Sequence, residues 1–377
     1  MKPATLFRDK KIIVTAGLYF LVSGILLFKF GVQLGGEADK IIDNANRIIN
    51  GRELFNGVFG WFYMAYTLFI ALFLKLSVSL VFVVIVQVVL SLFAAICLYK
   101  LLLQVLANRH IAFLFFLVYL LCYPIQKWNF FLYTEGIHTS LLVIGIYYCN
   151  KWLSEKKNIH LVVSAIILLL ILFSRPVGIL FLIALIVAAF FQLYQYNKKS
   201  WFYALAGIVI TSLIFLLNSP YTAFVNPDSI RRMEIICQVP QSNDTLVYKE
   251  YNREGLFKAF SVVKDEVGFG TFFAIGFKKL GCFFSMYRSY FSWQHNLLLI
   301  AFTVFYPFAL IGIFSKQRKC FRYVKLFAII YALLTSIAIF FTCDEWSNRF
   351  ISPVFPFILI LAAAGFQKLF GKNLNPQ

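Results

Sequence analysis

Four short clusters in the 377-residue chain bring acids, cations and turn-forming residues together in ways that could do chemistry. The first is Gly35-Gly36-Glu37-Ala38-Asp39-Lys40. A carboxylate there could take a proton as a general base, or cap a solvated helix whose N-terminal dipole favours anions. The second is Thr134-Glu135, with His138 one turn further along the same helical face. Glu135 could be a carboxylate favoured at a helix N-terminus, or could orient a hydroxyl, hold an arginine or ligate a divalent cation, and His138 could contact a ligand or be a packed core residue. The third is Ser174-Arg175-Pro176-Val177-Gly178, a sharp turn between two apolar runs. An arginine at a membrane edge needs a partner or a ligand phosphate, or snorkels to lipid phosphates. The fourth is Cys343-Asp344-Glu345-Trp346-Ser347-Asn348-Arg349-Phe350, where Arg349 either pairs with Glu345 at i, i+4 or meets an anion.

The elements that must carry these clusters are apolar. The chain is 61% hydrophobic, 19% aromatic and only 14% charged, against about a quarter charged in soluble domains. Its mean hydropathy is +0.80. That composition excludes a disulfide scaffold, a disordered chain and an ordinary soluble enzyme, and it predicts an all-α integral membrane protein. Ten runs approach the roughly 17–25 residues needed to cross a bilayer: 12–32, 78–99, 111–126, 135–153, 160–174, 177–194, 201–217, 296–314, 325–342 and 351–367.

An eleventh apolar stretch, 57–74, decides the topology. If it does not cross, cytoplasmic segments carry 18 Lys and Arg against 7 in short outer segments; if it crosses, the tally is 8 against 17. The positive-inside bias selects the first arrangement, with both termini cytoplasmic. The stretch is then a shallow or re-entrant element at the outer face, where Trp61, Tyr63 and Tyr66 suit an interfacial position. All four clusters fall on that outer side. The net charge of +19 is thereby explained by topology, and no nucleic-acid partner is expected.

Ile41, Ile42, Ala45, Ile48 and Ile49 recur at three- and four-residue spacing, so 38–50 reads as an amphipathic helix lying on the membrane. The N-terminal apolar run lacks a small-residue cleavage pattern and reads as a retained anchor. Residues 1–217 form an N-terminal transmembrane module with its first outer loop at 33–77, 218–294 is a large outer loop of interfacial helices, and 295–377 holds the C-terminal spans. The loop's many cations, Arg288 among them, read mostly as a solvated or lipid-facing surface, with one or two available to a phosphate head group. Among the outer cysteines, a Cys237–Cys282 bridge is open, with Cys343 the third on that side. No cysteine pair has zinc-site spacing.

Taken in order, these features resemble the GT-C class of membrane glycosyltransferases, nearest the group of protein O-mannosyltransferases and lipid A aminoarabinose transferases (glycosyltransferase family 39). The group's first outer loop runs from an acid to Ala eight residues on and Gly six further, a spacing kept by Glu37, Ala45 and Gly51. An aromatic amphipathic stretch follows, as 57–74 does here. Thr134-Glu135 matches the group's Thr-Glu before a long helix, and Ser174 to Gly178 match its Thr/Ser-Arg-Pro-x-Gly turn. Arg349-Phe350, Pro353, Pro356 and the small residues 362–365 match its last outer loop and helix. The group carries Asp where this chain has Glu37, and Asp39 stands two residues on, so either is a candidate base.

The resemblance implies a GT-C-like fold and transfer of a sugar from a polyprenyl-phosphate donor to a glycan, lipid or protein acceptor outside a bacterial inner membrane. Glu37 or Asp39 would be the catalytic carboxylate, and Glu135, His138, Arg175 and Arg349 would bind substrate. No cofactor is required by that chemistry; a divalent cation stays open. An O-antigen polymerase or ligase, and a flippase or transporter of lipid-linked sugars, are the alternative classes.

Overall fold

A computed structural model describes residues 10–52, 57–106, 108–194, 210, 230–237, 239, 256–315 and 319–371. Among these, every extended regular element is helical, in keeping with an all-α membrane protein. Four helices, Lys10–Phe30, Val81–Val105, Trp293–Ile313 and Arg322–Phe341, are long and apolar enough to cross a bilayer. The bent pairs Arg109–Leu121 with Tyr123–Phe130 and Phe260–Val267 with Phe269–Ser285 raise the number to six if each is one span. The ten-span reading is therefore met in part. Helices Asn158–Leu172 and Phe355–Phe370, with 15 and 16 residues, fall short of a full crossing, and Gly178–Tyr194, with 17, only reaches the lower bound. Thr134–Glu155 is long enough at 22 residues, but Glu135, His138 and Asn150 are buried along it. Apart from residue 210, the expected span at 201–217 lies outside the described residues.

The chain divides into two compact units. The first comprises residues 1–103 and 109–175, the second 104–108 and 176–377. In the first unit the helices are α1 (Lys10–Phe30), α2 (Gly36–Ile49), α3 (Gly57–Phe62), α4 (Met64–Lys75), α5 (Val81–Val105), α6 (Arg109–Leu121), α7 (Tyr123–Gln126), α8 (Thr134–Glu155) and α9 (Asn158–Leu172), α5 ending in the stretch that counts with the second unit.

Helix α2 forms where the isoleucine spacing predicts it, but its apolar face meets protein. Ala38, Ile41 and Ala45 are buried in one cluster with Tyr66, Ile70 and Ala71 of α4, Val83 of α5 and Leu132. The 12 residues of α4 span only about 18 Å, well under the roughly 30 Å of a hydrocarbon core. With α3 before it, the stretch 57–74 is helical in two pieces joined at Tyr63. The stretch is not simply an interfacial element, however: Trp61 is half exposed, whereas Tyr66 is fully buried.

The second unit contains α10 (Gly178–Tyr194), α11 (Leu256–Val262), α12 (Phe269–Ser285), α13 (Trp293–Ala301), α14 (Phe305–Ile313), α15 (Lys319–Phe341) and α16 (Phe355–Phe370). Helices α14 and α16 cross with backbones in contact. A Cβ on Gly312 would lie 1.9 Å from the Leu361 carbonyl oxygen, and one on Gly365 equally close to that of Phe308. Only glycine admits that approach. Phe181 of α10 packs edge-on against Phe327 and Tyr331 of α15. The polypeptide turns by 116° between α11, with the π-helical turn that extends it, and α12. It does so at Gly268, whose φ of +80° favours glycine.

Candidate functional site

The first unit brings together the first two clusters and, from the third, Ser174 and Arg175. Between α1 and α2 the chain runs extended beside residues 130–132: Gln33 N–H donates to the Phe130 carbonyl at 2.8 Å and Leu132 N–H to the Gln33 carbonyl at 3.1 Å. Gly35 lies against Tyr133, where any Cβ would fall 2.2 Å from the phenol oxygen. The acid-bearing start of α2 is thereby tied to the segment that immediately precedes Glu135. Glu37 is partly buried and Asp39 is exposed.

Glu135 sits in the first turn of α8 and forms an ion pair with Arg175 at 2.8 Å, the side chains 0% and 4% exposed. So the Thr-Glu and Ser-Arg-Pro clusters, 40 residues apart in sequence, meet through opposite charges. Removing two charges from water is costly unless each compensates the other. His138, on the same face of α8, places Nδ1 2.6 Å from Ser174 Oγ. The turn itself is fixed to α4, where Ala65 N–H donates to the Phe173 carbonyl at 2.9 Å.

Tyr66, one residue on, donates its hydroxyl to Gln87 Oε1 at 3.0 Å. Gln87 in turn donates to the carbonyls of Asn129 and Phe131 at 2.9 and 3.0 Å. Burial first, and the nearby Glu135 charge second, hold the Tyr66 phenol well above its ordinary range, so it remains a donor. Further along, Gln126 Oε1 accepts from Tyr19, Ser91 and Asn129. That network forms the polar end of an apolar cavity of about 240 Å³ lined by Leu18, Val22 and Leu26 of α1 and Leu117, Leu120 and Leu121 of α6.

The fourth cluster lies in the second unit and is organised differently from the sequence expectation. The disulfide joins Cys237 to Cys343, and Cys282 is a free thiol, which corrects the Cys237–Cys282 pairing. Spacing alone could not rank the pairings. The backbone does: Cys237 N–H donates to the Asp344 carbonyl and Asp344 N–H to the Ile235 carbonyl, both at 2.8 Å, which lays the two cysteines side by side.

Arg288, grouped by sequence with surface cations, is fully buried and paired with Asp344. Its Nη1 donates to the carbonyls of Cys282 and Tyr287 at 2.9 and 2.8 Å. Asn296 accepts from Arg288 N–H at 3.0 Å and donates to its carbonyl at 2.8 Å. Burial pushes the Asp344 carboxyl up to about 6 while the Arg288 charge pulls it down. Arg349 lies 3.7 Å from Glu345, the local i, i+4 pair. Beside it Met286, Ser347 and Asn348 all adopt positive φ, and Asn348 Nδ2 donates to the Met286 carbonyl at 2.8 Å. Residues in that region cluster at functional loops or where packing over-determines them.

No protein-family model, curated protein or solved structure matches this chain.

Among the described residues, no three His, Cys, Asp or Glu side chains gather closely enough to hold a metal ion. Glu135 is engaged by a guanidinium instead. Tyr66, Gln87, Arg288 and Asn296 are parts of the two polar clusters that sequence reasoning missed. Gln87 lay inside an apolar run, where a lone amide in a span is itself a signal of buried bonding. Arg288 offered no local signal, since its partner is 56 residues away.

Proposed function

We propose that this chain is a membrane glycosyltransferase that moves a sugar from a polyprenyl-phosphate donor to an acceptor hydroxyl at the outer face of the membrane. The observation that carries the reading is the Glu135–Arg175 ion pair. It joins two of the motifs on which the GT-C resemblance rests, while the Gln33–Phe130 backbone bond ties the acidic first-loop helix to the same segment.

In this reading Glu37 removes the proton of the acceptor hydroxyl as that oxygen attacks the anomeric carbon. The bond from that carbon to the phosphate oxygen breaks, and the lipid phosphate leaves with the electron pair. Single displacement inverts the anomeric centre. A phosphate is a good leaving group, so no general acid is needed. Arg175 complements the charge that grows on it, and a guanidinium carries enough N–H donors to face a carboxylate and a phosphate at once. Asp39, more exposed, is the alternative base. Arg349 enters by its motif match alone. The apolar cavity between α1 and α6 suits an alkyl or isoprenoid chain.

The disulfide supports an oxidising, extracytoplasmic location for residues 237 and 343. Both belong to segments that the positive-inside count assigns to the outer side. Ten crossings and cytoplasmic termini complete the proposed topology.

The test is a transfer assay on the full chain in liposomes with radiolabelled polyprenyl-phosphate sugars and membrane acceptors. Glu37→Gln is expected to lower turnover by about 10²–10⁴-fold while donor binding persists. Loss confined to Asp39→Asn would move the base to that residue. Full activity in both variants would remove the mechanism.

A second reading, transport of a lipid-linked sugar, draws on the bent pairs of 49° and 116°, because broken helices are used in transporters to bind substrate. Movement of a fluorescent lipid-phosphate sugar across liposomes without transfer would favour it.

A further inference from the structure

Thr134 and His138 stand one turn apart on the same face of α8, and both are buried. The tautomer of His138 follows from its neighbour. Ser174 Oγ lies 2.9 Å from the Ile171 carbonyl oxygen and 2.6 Å from His138 Nδ1. A serine hydroxyl has a single proton. Both contacts are hydrogen bonds only when that proton goes to the carbonyl and Nδ1–H donates to the serine oxygen. Nε2 then carries a lone pair and no hydrogen.

Neither His138 Nε2 nor Thr134 Oγ1 meets a hydrogen-bonding partner among the described residues. Buried polar atoms are costly in that condition, and they mark places where something else completes the bonding. One oxygen of a neutral hydroxyl satisfies both. It accepts from the Thr134 hydroxyl and donates to Nε2, the two residues being i, i+4 neighbours whose Cβ atoms lie about 5–6 Å apart. An anion has no proton for Nε2. A neutral group also needs no counter-charge where Glu135 and Arg175 already neutralise each other.

We infer that Thr134 and His138 together hold one hydroxyl of the transferred sugar and so help to set which sugar is accepted. This rests on the glycosyltransferase reading. A buried water offers the same chemistry, so the experiment separates the two.

The full-length protein in nanodiscs is titrated by tryptophan fluorescence with undecaprenyl phosphate, and with undecaprenyl-phosphate glucose, mannose and galactose. The wild type is expected to bind one sugar-bearing lipid more tightly than the bare lipid phosphate. His138→Leu and Thr134→Val should each weaken that sugar-bearing lipid about tenfold and leave the bare lipid unchanged. The double variant should lose little more than either single one, because one hydroxyl makes both bonds. His138→Gln, whose amide oxygen can accept, should recover part of the loss. Wild-type preference that survives in all variants would assign the two atoms to a water and overturn the inference alone. Equal weakening for both kinds of lipid would make them packing residues and would likewise overturn the inference while leaving the glycosyltransferase reading in place. A wild type that distinguishes no sugar-bearing lipid from the bare one would overturn the glycosyltransferase reading, and this inference with it.

Discussion

Arg288 and Asp344, 56 residues apart in sequence, form an ion pair in which both side chains are 1% exposed. Around it converge the end of α12, the start of α13 and the segment held by the disulfide. Removing one partner of such a pair leaves an uncompensated buried charge, at a cost of about 3–5 kcal/mol. Arg288→Met and Asp344→Asn are each expected to lower the Tm of the detergent-solubilised protein markedly. Unchanged unfolding in both would mean that the pair is dispensable.

The same pair sets a pH dependence. Burial lifts the Asp344 carboxyl from its ordinary 3.8 to about 6, so the folded protein binds this proton more tightly than the unfolded chain. Between these two values the native state holds more protons, and the contribution of Asp344 to stability falls as pH rises. Below the window the proton-linked contribution is fully present; above it, at neutral pH, that part is gone and the ion pair with Arg288 remains. A Tm series from pH 4 to 7 should show a component of that sign in the wild type that Asp344→Asn lacks.

The Glu135–Arg175 pair allows structure and function to be separated. Glu135→Gln should cost several kcal/mol, within the roughly 3–5 expected for breaking a buried pair, and, on the proposed function, should abolish transfer. Replacing both residues by leucine should recover much of the Tm without recovering turnover. Recovery of both would make the pair purely structural.

The crossing of α14 and α16 tolerates no side chain. Gly312→Ala and Gly365→Ala each place a methyl group against a carbonyl oxygen, so the helices must separate. A loss above about 2 kcal/mol is expected, seen as lower folded yield and Tm. Gly281→Ala in α12 meets nothing within 4 Å and should be neutral or slightly stabilising.

The disulfide is checked by peptide mapping under non-reducing conditions, which should recover the Cys237–Cys343 linkage and leave Cys282 open to alkylation. The bridge closes a sequence separation of 106 residues. Cys343→Ser should cost about 2–5 kcal/mol.

What could be read in advance follows physical range. Helix α2 was legible because its isoleucines repeat at helical spacing, and its observed bounds, Gly36–Ile49, fall within two residues of the expected 38–50. Glu135 and Arg175 were legible as residues that needed partners, and holding an arginine was among the roles open to Glu135. Tyr66 was misjudged because an aromatic residue in a short apolar stretch fits an interface and a core equally well; Gln87, its partner, decides for the core. Arg288 and the disulfide were out of reach since no local period links residues so distant in sequence. The bend at Gly268 was hidden inside a continuous apolar pattern, with one glycine as its only mark.

The backbone pairing of Gln33 with residues 130–132 carries a consequence for biosynthesis. The acid-bearing helix leaves the ribosome almost a hundred residues before the segment that anchors its start. At about 5–20 residues per second, α1 and α2 wait roughly 5–20 s for that segment to arrive. Helix α4 follows within about 30 residues, but Leu132 is missing for the whole delay, so the insertion machinery or the lipid itself must shelter the part of the α2 face that it covers. Nascent chains halted before residue 130 would carry the acids without the anchor that orients them.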